Sequence, residues 1–382
     1  MKIALVHEWL VFYAGGERVF ESFTNIWKDA DVFALVDFLN DEHRKIILKG
    51  KHAQTTFIQK LPFAEKKFRS YLPLFPLAIE SLNFSKYDVI LSSSHAVTKG
   101  IRKKPNQLHI SYCHSPMRYI WDEAETYFEA ANLNKGLKKI VATKILNYLR
   151  KWDLKTAQRP DYLIANSNYI AEKLKRIYKR DSTVIYPPVD VDKFECVENK
   201  DDYYFVASRL VPYKKIDLIV EAFSQMPDKR LVIAGTGPEL NKLKSKFLVN
   251  VEFIGYQDEK SLKELMQKAK AFVFAAEEDF GIVVVEAMAC GTPVIALNKG
   301  GTAETVVDGK SKGWFPTGIL FDNQNVEDIK NAVRRFESIE DTFNHKEISR
   351  YTKKFSRKIF EEKIKQYVDE KSEQFFSNKK AK

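Results

Sequence analysis

The chain has 382 residues, of which 45% are hydrophobic and 13% aromatic, and it carries a formal net charge of +11. That length predicts two domains, and no apolar run approaches the roughly 20 residues of a membrane-spanning helix. An integral membrane protein is therefore not expected. Three scattered cysteines without metal or redox spacing, and an N-terminus that reads as a strand and not as a signal peptide, predict a cytoplasmic location.

Strand-like and helix-like segments alternate along the first half, as in an open α/β sheet. The predicted elements are a strand at MKIALVH, a helix from about residue 17 to 27, and strands at DVFALV, YDVILSSS, QLHISYCH and DYLIANS. The strands end in polar or small residues, among them His7 and His114. Such residues are expected where loops at the carboxyl ends of strands form a binding edge.

Two features of this edge predict site residues. Gly15 and Gly16 fall between the first strand and the first helix, where glycine lets the backbone approach a ligand closely. His114 is followed by a Ser-Pro pair that stops its strand. Its imidazole is therefore predicted to project toward a ligand. The other histidines considered are interpreted as ordinary core or surface residues: His7, His95 and His109.

Positive charge is concentrated in the first half. Residues 1–190 carry 30 Lys and Arg against 20 Asp and Glu, whereas residues 191–382 carry 32 against 31. Residues 51–120 interleave 11 basic and 3 acidic side chains with aromatic and aliphatic ones. The mixture favours an acidic membrane surface, to which Lys60, Lys66, Lys67 and Arg69 would each contribute about 1 kcal/mol. The alternative is a lysine-rich surface over ordinary core aromatics.

A predicted linker, VIYPPVDVDKF at residues 184–194, divides the chain. Its two prolines stiffen the backbone and interrupt ladder hydrogen bonds, so domains are expected at 1–188 and 189–355. Asp190 and Asp192 form a D-x-D pattern, which in other settings holds a divalent cation on a diphosphate. Its place in a linker favours a structural role. With no Cys/His ligand cluster either, no metal and no cofactor are predicted.

The second half restarts the α/β alternation with strands at YYFVASRL, KRLVIAGTG, VEFIGY, AFVFAA and TPVIALN. Arg209 follows the first of these strands and Lys214 comes five residues later, so both cations are expected at one strand end. Fixed Arg and Lys side chains stabilise the charge of a departing diphosphate. The loops GTGPEL, which begins at Gly235, and FIGYQD, which contains Gln257, are further strand-to-helix turns.

The most informative stretch is AAEEDFGIVVVEAMACGTPVIA, residues 275–296. It sets Glu278 and Glu286 eight positions apart, on either side of a glycine-containing turn. A buried strand precedes the turn, and residues 282–290 are predicted to form a helix whose first backbone N–H groups hold an anion. Both carboxylates are expected to face one ligand. The alternative is a solvated acidic loop.

In the form E-D-F-G-x(4)-E-A-M-A-x-G-x-P-V-I-A, this stretch resembles the signature of the retaining nucleotide-sugar glycosyltransferases with a GT-B fold, of the group 1 or family 4 type. The R-L-x(3)-K spacing at Arg209, the Y-P-P-V-D linker and the last helix, about residues 356–376, also resemble that family. The Gly-Gly loop is a partial match, because Glu17 follows the glycines directly. The HISYCHSP segment is similar to that of O-antigen and capsule mannosyltransferases.

The resemblance implies a role for each matched residue. Glu278 would contact donor-sugar hydroxyls and Glu286 the nucleotide ribose. The implied catalytic residues are His114, Arg209, Lys214 and Glu278. The implied donor-binding residues are Gly15, Gly16, Gly235, Gln257, Phe280, Gly281, Ile282, Val283 and Glu286.

The resemblance also implies the architecture. It predicts an α/β GT-B fold of two Rossmann-like, doubly wound domains that face each other across a cleft. The first domain would bind the acceptor, with the last helix packed back on it, and the second would bind the sugar nucleotide.

The expected reaction is metal-independent glycosyl transfer with retention, by same-face displacement in which the departing phosphate accepts the proton of the incoming hydroxyl. GDP-mannose is the preferred donor. A lipid-linked saccharide is the preferred acceptor, in lipopolysaccharide or polysaccharide biosynthesis at the inner face of the cell membrane.

Four alternatives stay open at this point. They are a UDP-sugar donor, a GT-B-fold sugar-nucleotide epimerase, an inactive scaffold and a basic nucleic-acid-binding protein. Nucleic acid is disfavoured because no recognised nucleic-acid motif is present, and because that function gives no reason for the charged residues of the second half to converge.

Overall fold

The computed structural model describes residues 1–122, 135–245, 249–309 and 315–380. Two compact units divide the chain. The first comprises Met1–Pro188 with Phe360–Lys382, and the second comprises Val189–Ile359. The division falls at the double proline of the linker.

The first unit contains a parallel seven-stranded sheet with the order β3-β2-β1-β4-β5-β6-β7. The strands are β1 Ile3–Leu10, β2 Asp31–Asp37, β3 Gln54–Thr55, β4 Val89–Ser94, β5 Leu108–Cys113, β6 Tyr162–Ala165 and β7 Thr183–Val184. Neighbouring residues along these strands belong to two separate apolar clusters, as expected for a parallel sheet that is buried on both faces. The chain order reverses between β1 and β4, and ligands of such sheets bind at that switch point.

The described α-helices of the first unit connect these strands. They are α1 Gly15–Ile26, α2 Asp41–Leu48, α3 Ala64–Lys67, α4 Phe75–Glu80, α5 Arg118–Trp121, α6 Gly136–Thr156 and α7 Asn168–Tyr178. Helix α1 begins at Gly15, so the prediction that Gly15 and Gly16 precede the helix is wrong. The earlier start follows from a cap, because Glu17 Oε2 accepts a hydrogen bond from the Ala14 amide at 3.1 Å.

The second unit contains a parallel six-stranded sheet with the order β10-β9-β8-β11-β12-β13. Its strands are β8 Asp201–Ala207, β9 Leu231–Ala234, β10 Val251–Gly255, β11 Ala269–Phe274, β12 Val294–Leu297 and β13 Gly318–Phe321. Its described α-helices are α8 Ile216–Ser224, α9 Leu240–Lys244, α10 Glu259–Lys268, α11 Ile282–Ala289, α12 Thr302–Thr305, α13 Val326–Ser338 and α14 His345–Tyr351. The order reverses between β8 and β11. Two doubly wound α/β units were predicted, and this fold class is confirmed.

The last helix, α15 Arg357–Lys380, packs on the first unit along most of its length. Phe360, Ile364 and Val368 are buried in the core beside β1 and α1. The ring of Phe360 stacks on that of Phe23 with 6.3 Å between centroids. These three apolar residues of α15 are therefore part of the core of the first unit.

The linker carboxylates are engaged in ion pairs. Arg357 donates to Asp190 through Nε at 2.6 Å and through Nη2 at 3.1 Å. Lys353 Nζ lies 2.6 Å from Asp192 Oδ1. The two pairs join the D-x-D segment to the first residue of α15 and to the turn that precedes it. These contacts account for the two aspartates as structural residues.

Candidate active site

Two predicted site residues contact each other at the switch point of the second sheet. Lys214 lies in a 3₁₀ turn, Pro212–Lys214, in the loop after β8, and Glu278 follows β11, the strand next to β8. Lys214 Nζ donates to Glu278 Oε1, and the two side chains are 18% and 17% exposed. The topology thus brings a cation and an anion, 64 residues apart in sequence, to one strand edge.

The third predicted charge of this edge is exposed. Arg209 forms no ion pair with any described residue. Its loop is supported by the glycines of the neighbouring turn. A Cβ added to Gly235, whose φ is +137°, would lie 1.8 Å from the Ser208 carbonyl oxygen. Gly235 is therefore required for packing beneath the Arg209 loop, whatever it contributes to a ligand.

The glycine turn after β11 leaves backbone N–H groups available. Gly281 has φ of 83° and directly precedes helix α11. The amides of Gly281, Ile282 and Val283 donate to no described residue, and all three residues are half-buried. Helix N-termini with free amides attract anions. Phe280 is buried against Phe355 at a ring distance of 5.6 Å, so its side chain belongs to the core of the unit.

Helix α11 presents one accessible side. Ile282, Val283 and Glu286 are half-buried, whereas the positions between and after them are buried: Val284, Val285, Ala287, Met288 and Ala289. Glu286 lies one helical turn from the free amides. The helix predicted at residues 282–290 is confirmed, ending at Ala289.

Gln257, the other candidate of the second unit, lies at the far edge of the sheet. It follows β10, two strands from β8, a separation of about 10 Å at the usual strand spacing. Its amide donates to the Ile254 carbonyl oxygen at 2.9 Å. Its contact with a nucleotide base stays a prediction.

A second glycine pair, which was not predicted, holds the acidic turn in place. A Cβ on Gly300 would lie 2.3 Å from the Glu278 carbonyl oxygen, and one on Gly301 would lie 2.2 Å from Phe280 Cα. The Gly301 amide also donates to the Glu278 carbonyl oxygen at 2.8 Å. The Gly-Gly pair directly after the strand TPVIALN was the available signal.

The switch point of the first sheet carries a buried polar network. His114 Nε2 lies 2.8 Å from Ser93 Oγ, and the same hydroxyl lies 3.0 Å from His7 Nδ1. His7 Nε2 lies 3.4 Å from Glu17 Oε1. Gly16 lies against this network, because a Cβ there would be 3.5 Å from His7 Cε1 and 3.9 Å from His114 Nε2. Gly16 and His114 are therefore neighbours.

The prediction that His7 ends its strand is wrong, because His7 lies inside the strand. Strand β1 continues to Leu10 and is buried throughout. The interpretation of His7 as an ordinary core histidine is incomplete, since it links Ser93 to Glu17. Polar side chains are tolerated here because each finds a partner. The next residue, Glu8, accepts from the backbone amides of residues 95–98 at 2.8–3.2 Å.

Burial sets the charge state of this network. It lowers the pKa of His114 well below its ordinary value, and the neighbouring His95 and His7 lower it further. Burial acts to raise the pKa of Glu17, but the hydrogen bond and charge of His7 outweigh it, so the net shift is downward. At neutral pH the network therefore holds an ionised Glu17 and a neutral His114.

Neither a metal cluster nor a membrane span is found in the part of the chain that the structure describes. In those residues no group of three or more His, Cys, Asp or Glu side chains is arranged to hold a metal ion. Within the same ranges, no helix combines the length and apolarity needed to cross a membrane.

Two family models match the two halves of the chain. Residues 15–193 match the model described as Glycosyltransferase Family 4, and residues 190–355 match the one described as Glycosyl transferases group 1. The chain therefore carries a family 4 domain followed by a group 1 domain. The part of the prediction that concerned this family is confirmed.

Individual relatives are similar over about half their length. An uncharacterized glycosyltransferase of Methanocaldococcus jannaschii is 30% identical over 210 residues, which cover 53% of this chain and 56% of the relative. A D-inositol 3-phosphate glycosyltransferase of Mycobacterium sp. is 29% identical over 199 residues, 45% of this chain and 44% of the relative.

Solved structures share the whole fold. HepE of Anabaena in complex with UDP has a TM-score of 0.68 at 17% identity, covering 97% of this chain and 100% of that one. Sucrose-phosphate synthase from Thermosynechococcus elongatus has a TM-score of 0.68 at 20% identity, covering 99% of each. The lipopolysaccharide outer core galactosyltransferase WaaB reaches 0.66 at 16%, covering 97% and 100%. These likenesses confirm the GT-B fold.

Proposed function

We propose that the protein transfers a hexose from a sugar nucleotide to a glycan acceptor, with retention of anomeric configuration and without a metal ion. The observation that carries the proposal is the contact between Lys214 and Glu278 beside the free amides of residues 281–283, inside the domain that matches the group 1 family. A cation, a carboxylate and unpaired amides at one strand edge suit the diphosphate and the hydroxyls of a sugar nucleotide.

The chemistry follows from these groups. As the glycosidic bond to the nucleoside diphosphate breaks, charge develops on the phosphate oxygens. Lys214, the exposed Arg209 and the amides of the α11 N-terminus stabilise that charge without reorganising. Glu278 accepts hydrogen bonds from hydroxyls of the sugar. In a same-face displacement the departing phosphate takes the proton of the acceptor hydroxyl, so the protein supplies positioning and electrostatic stabilisation.

GDP-mannose is the proposed donor, because the HISYCHSP segment is similar to that of mannosyltransferases. A UDP-sugar is the competing donor, and the solved HepE complex contains UDP. The two proposals differ in the base and the sugar and make the same use of Lys214 and Glu278.

The proposed acceptor is a lipid-linked saccharide at an anionic inner membrane surface. Of the aromatic and aliphatic residues interleaved with lysines, Ile58, Phe68 and Phe75 are buried core residues. Phe63 is 77% exposed and Leu77 62% exposed. The basic side chains of the same segment are exposed: Lys60, Lys66, Lys67 and Arg69. An exposed apolar and basic segment supports peripheral binding to acidic lipid.

A donor panel tests the proposal. Purified protein is incubated with GDP-mannose and with UDP-hexoses, and transfer, hydrolysis and epimerisation are followed by product analysis. Turnover of GDP-mannose is expected, and it should persist in EDTA. A sugar nucleotide that is only epimerised would contradict the transferase, and loss of activity in EDTA would contradict metal independence. An α-configured product from an α-configured donor is the sign of retention.

Two variants test the leaving-group site. Arg209→Met and Lys214→Met are each expected to lower turnover by about 10²–10³-fold, the usual loss when one preorganised donor is removed from developing charge. Arg230→Met and Lys260→Met are the matched controls, because both side chains are exposed on other elements of the unit. Wild-type turnover in the two site variants would refute the assignment.

Membrane binding is tested separately by flotation with vesicles that contain anionic phospholipid. The protein is expected to float at low salt and to be released at high salt, because surface charge attraction is screened. Failure to float at low salt would contradict the peripheral association and leave the donor assignment intact.

A further inference from the structure

A chain of four hydrogen-bonded side chains links the start of helix α1 to the predicted site histidine. It runs from Glu17 to His7 at 3.4 Å, from His7 to Ser93 at 3.0 Å and from Ser93 to His114 at 2.8 Å. Glu17, His7 and Ser93 are buried, and His114 is half-buried. Each side chain has a limited number of protons to donate. Once the donor and the acceptor at Glu17 are known, the donor and the acceptor of every other bond in the chain follow.

The direction begins at Glu17. An ionised carboxylate only accepts hydrogen bonds, and the lowered pKa of Glu17 keeps it ionised. The ring nitrogen that faces it, His7 Nε2, must therefore carry a proton. In the neutral form of the His7 ring, which has only this one N–H, Nδ1 is an acceptor, and the Ser93 hydroxyl donates to it.

The same reasoning assigns the donor and the acceptor between Ser93 and His114. Ser93 has a single hydroxyl proton, which His7 already accepts. Toward His114 Nε2 the Ser93 oxygen can only accept, so His114 Nε2 carries the proton and Nδ1 carries a lone pair. No described residue hydrogen-bonds to His114 Nδ1.

We propose that Glu17, acting through His7 and Ser93, fixes neutral His114 as its Nε2–H tautomer, so that His114 Nδ1 accepts a hydrogen bond from a ligand hydroxyl. Glu17, His7 and Ser93 are then positioning residues. An unprotonated nitrogen attracts an O–H group and repels phosphate oxygens. The tautomer follows from the contacts together with an ionised Glu17 and the neutral form of His7, whereas the assignment of the hydroxyl to a sugar rests on the proposed function.

A single substitution should reverse the chain. Glu17 also accepts from the Ala14 amide through Oε2 at 3.1 Å, and that amide is always a donor. In Glu17→Gln the carboxamide oxygen must face Ala14, so its NH₂ group faces His7. His7 Nε2 becomes an acceptor, its Nδ1–H donates to Ser93, and Ser93 donates to His114 Nε2. His114 is then expected as the Nδ1–H tautomer.

Long-range ¹H–¹⁵N correlation spectra of ¹⁵N-histidine-labelled full chain test the tautomer directly. The spectra are recorded at pH 8, and His114→Gln assigns the resonance. We expect Nε2–H in the wild type, Nδ1–H in Glu17→Gln, and no change in Glu21→Gln. Glu21 is the matched control because it lies on α1 and accepts a hydrogen bond from Tyr13. An Nδ1–H wild type, or an unchanged tautomer in Glu17→Gln, would overturn the proposal.

The Ser93→Ala variant tests whether the effect of Glu17 reaches His114 through the Ser93 hydroxyl. In Ser93→Ala the link is cut, so adding Glu17→Gln should no longer alter the His114 tautomer. A change that persists without the Ser93 hydroxyl would overturn the role of Ser93.

Activity tests the ligand. Glu17→Gln is expected to lower kcat/KM about ten- to a hundredfold, because an N–H would face a hydroxyl that is donating, and Glu21→Gln should retain it. Reversal of the tautomer with no loss of kcat/KM would overturn the hydroxyl contact. Absence of turnover by the wild type with every donor would refute the proposed function, and the tautomer would still be decided by the spectra.

Discussion

Acid should weaken the first unit through a histidine that has no access to water. His109 lies in β5, is fully buried, and has Nε2 2.9 Å from Ser92 Oγ. Its Nδ1 has no hydrogen-bond partner among the described residues. Burial, and after it the positive charges of Lys103 and Arg159, lowers the pKa of His109 from 6.5 to about 3. The folded protein therefore keeps this ring neutral where the unfolded chain binds a proton.

The size of this loss of stability follows from the linkage between proton binding and folding. Between pH 6.5 and pH 3 the unfolded state binds more protons, so the free energy of unfolding falls as the pH falls below 6.5. From pH 8 to pH 5, RT ln(1 + 10^1.5) amounts to about 2 kcal/mol from His109 alone. The folded pKa hardly enters, because it lies well below pH 5. His109→Gln should therefore lose about 2 kcal/mol less than the wild type over this interval.

Urea unfolding at pH 8 and at pH 5, followed by tryptophan fluorescence, measures this difference. Four of the five tryptophans lie within residues 1–188, so the signal reports mainly on the first unit. His52→Gln is the matched control, because His52 is exposed. If His109→Gln lost as much stability as the wild type and the control, the neutral buried ring would be refuted.

Two further predictions concern packing. Gly301→Ala would place a Cβ 2.2 Å from Phe280 Cα, so the acidic turn must move; we expect nucleotide binding, measured by calorimetry, to be lost, and retention of wild-type affinity would contradict the account. Phe360→Ala removes a ring that packs on Phe23 and Tyr112, and should lower the free energy of unfolding of the first unit by about 3–5 kcal/mol in urea. An unchanged midpoint would show that α15 does not stabilise that unit.

Much of the fold was predictable because its signals are local. Parallel strands buried on both faces read as short apolar runs, and the helix predicted at residues 282–290 follows from the strand, turn and helix of one continuous stretch. The last helix was expected to pack back on the first domain, and its residues Phe360, Ile364 and Val368 are buried there. The predicted start of helix α1 was wrong by two residues, because the side chain of Glu17 caps the helix from three positions further along.

The contacts within the candidate sites were less predictable. Lys214 and Glu278 were both expected at the same edge, but their direct contact depends on β8 lying next to β11. Arg209 was expected to converge with them. Its side chain is exposed and forms no ion pair with any described residue, so its convergence on a ligand stays a prediction. Pro187 and Pro188 indicated where the chain divides, because proline fixes φ and removes a backbone N–H donor whatever surrounds it in the fold.

The candidate site of each unit lies at the switch point of its sheet. The two sites differ in how much of them the sequence alone predicts. In the second unit, Glu278, the free amides and Glu286 lie within nine consecutive residues, so one motif describes most of the site. In the first unit, the network takes one residue each from β1, α1, β4 and the end of β5. His7 and Ser93 are 86 residues apart, and neither belongs to a spacing pattern. A site that is assembled from several strands can be recognised only when the strand order is known. For this reason the sequence alone predicts an ordinary histidine at His7.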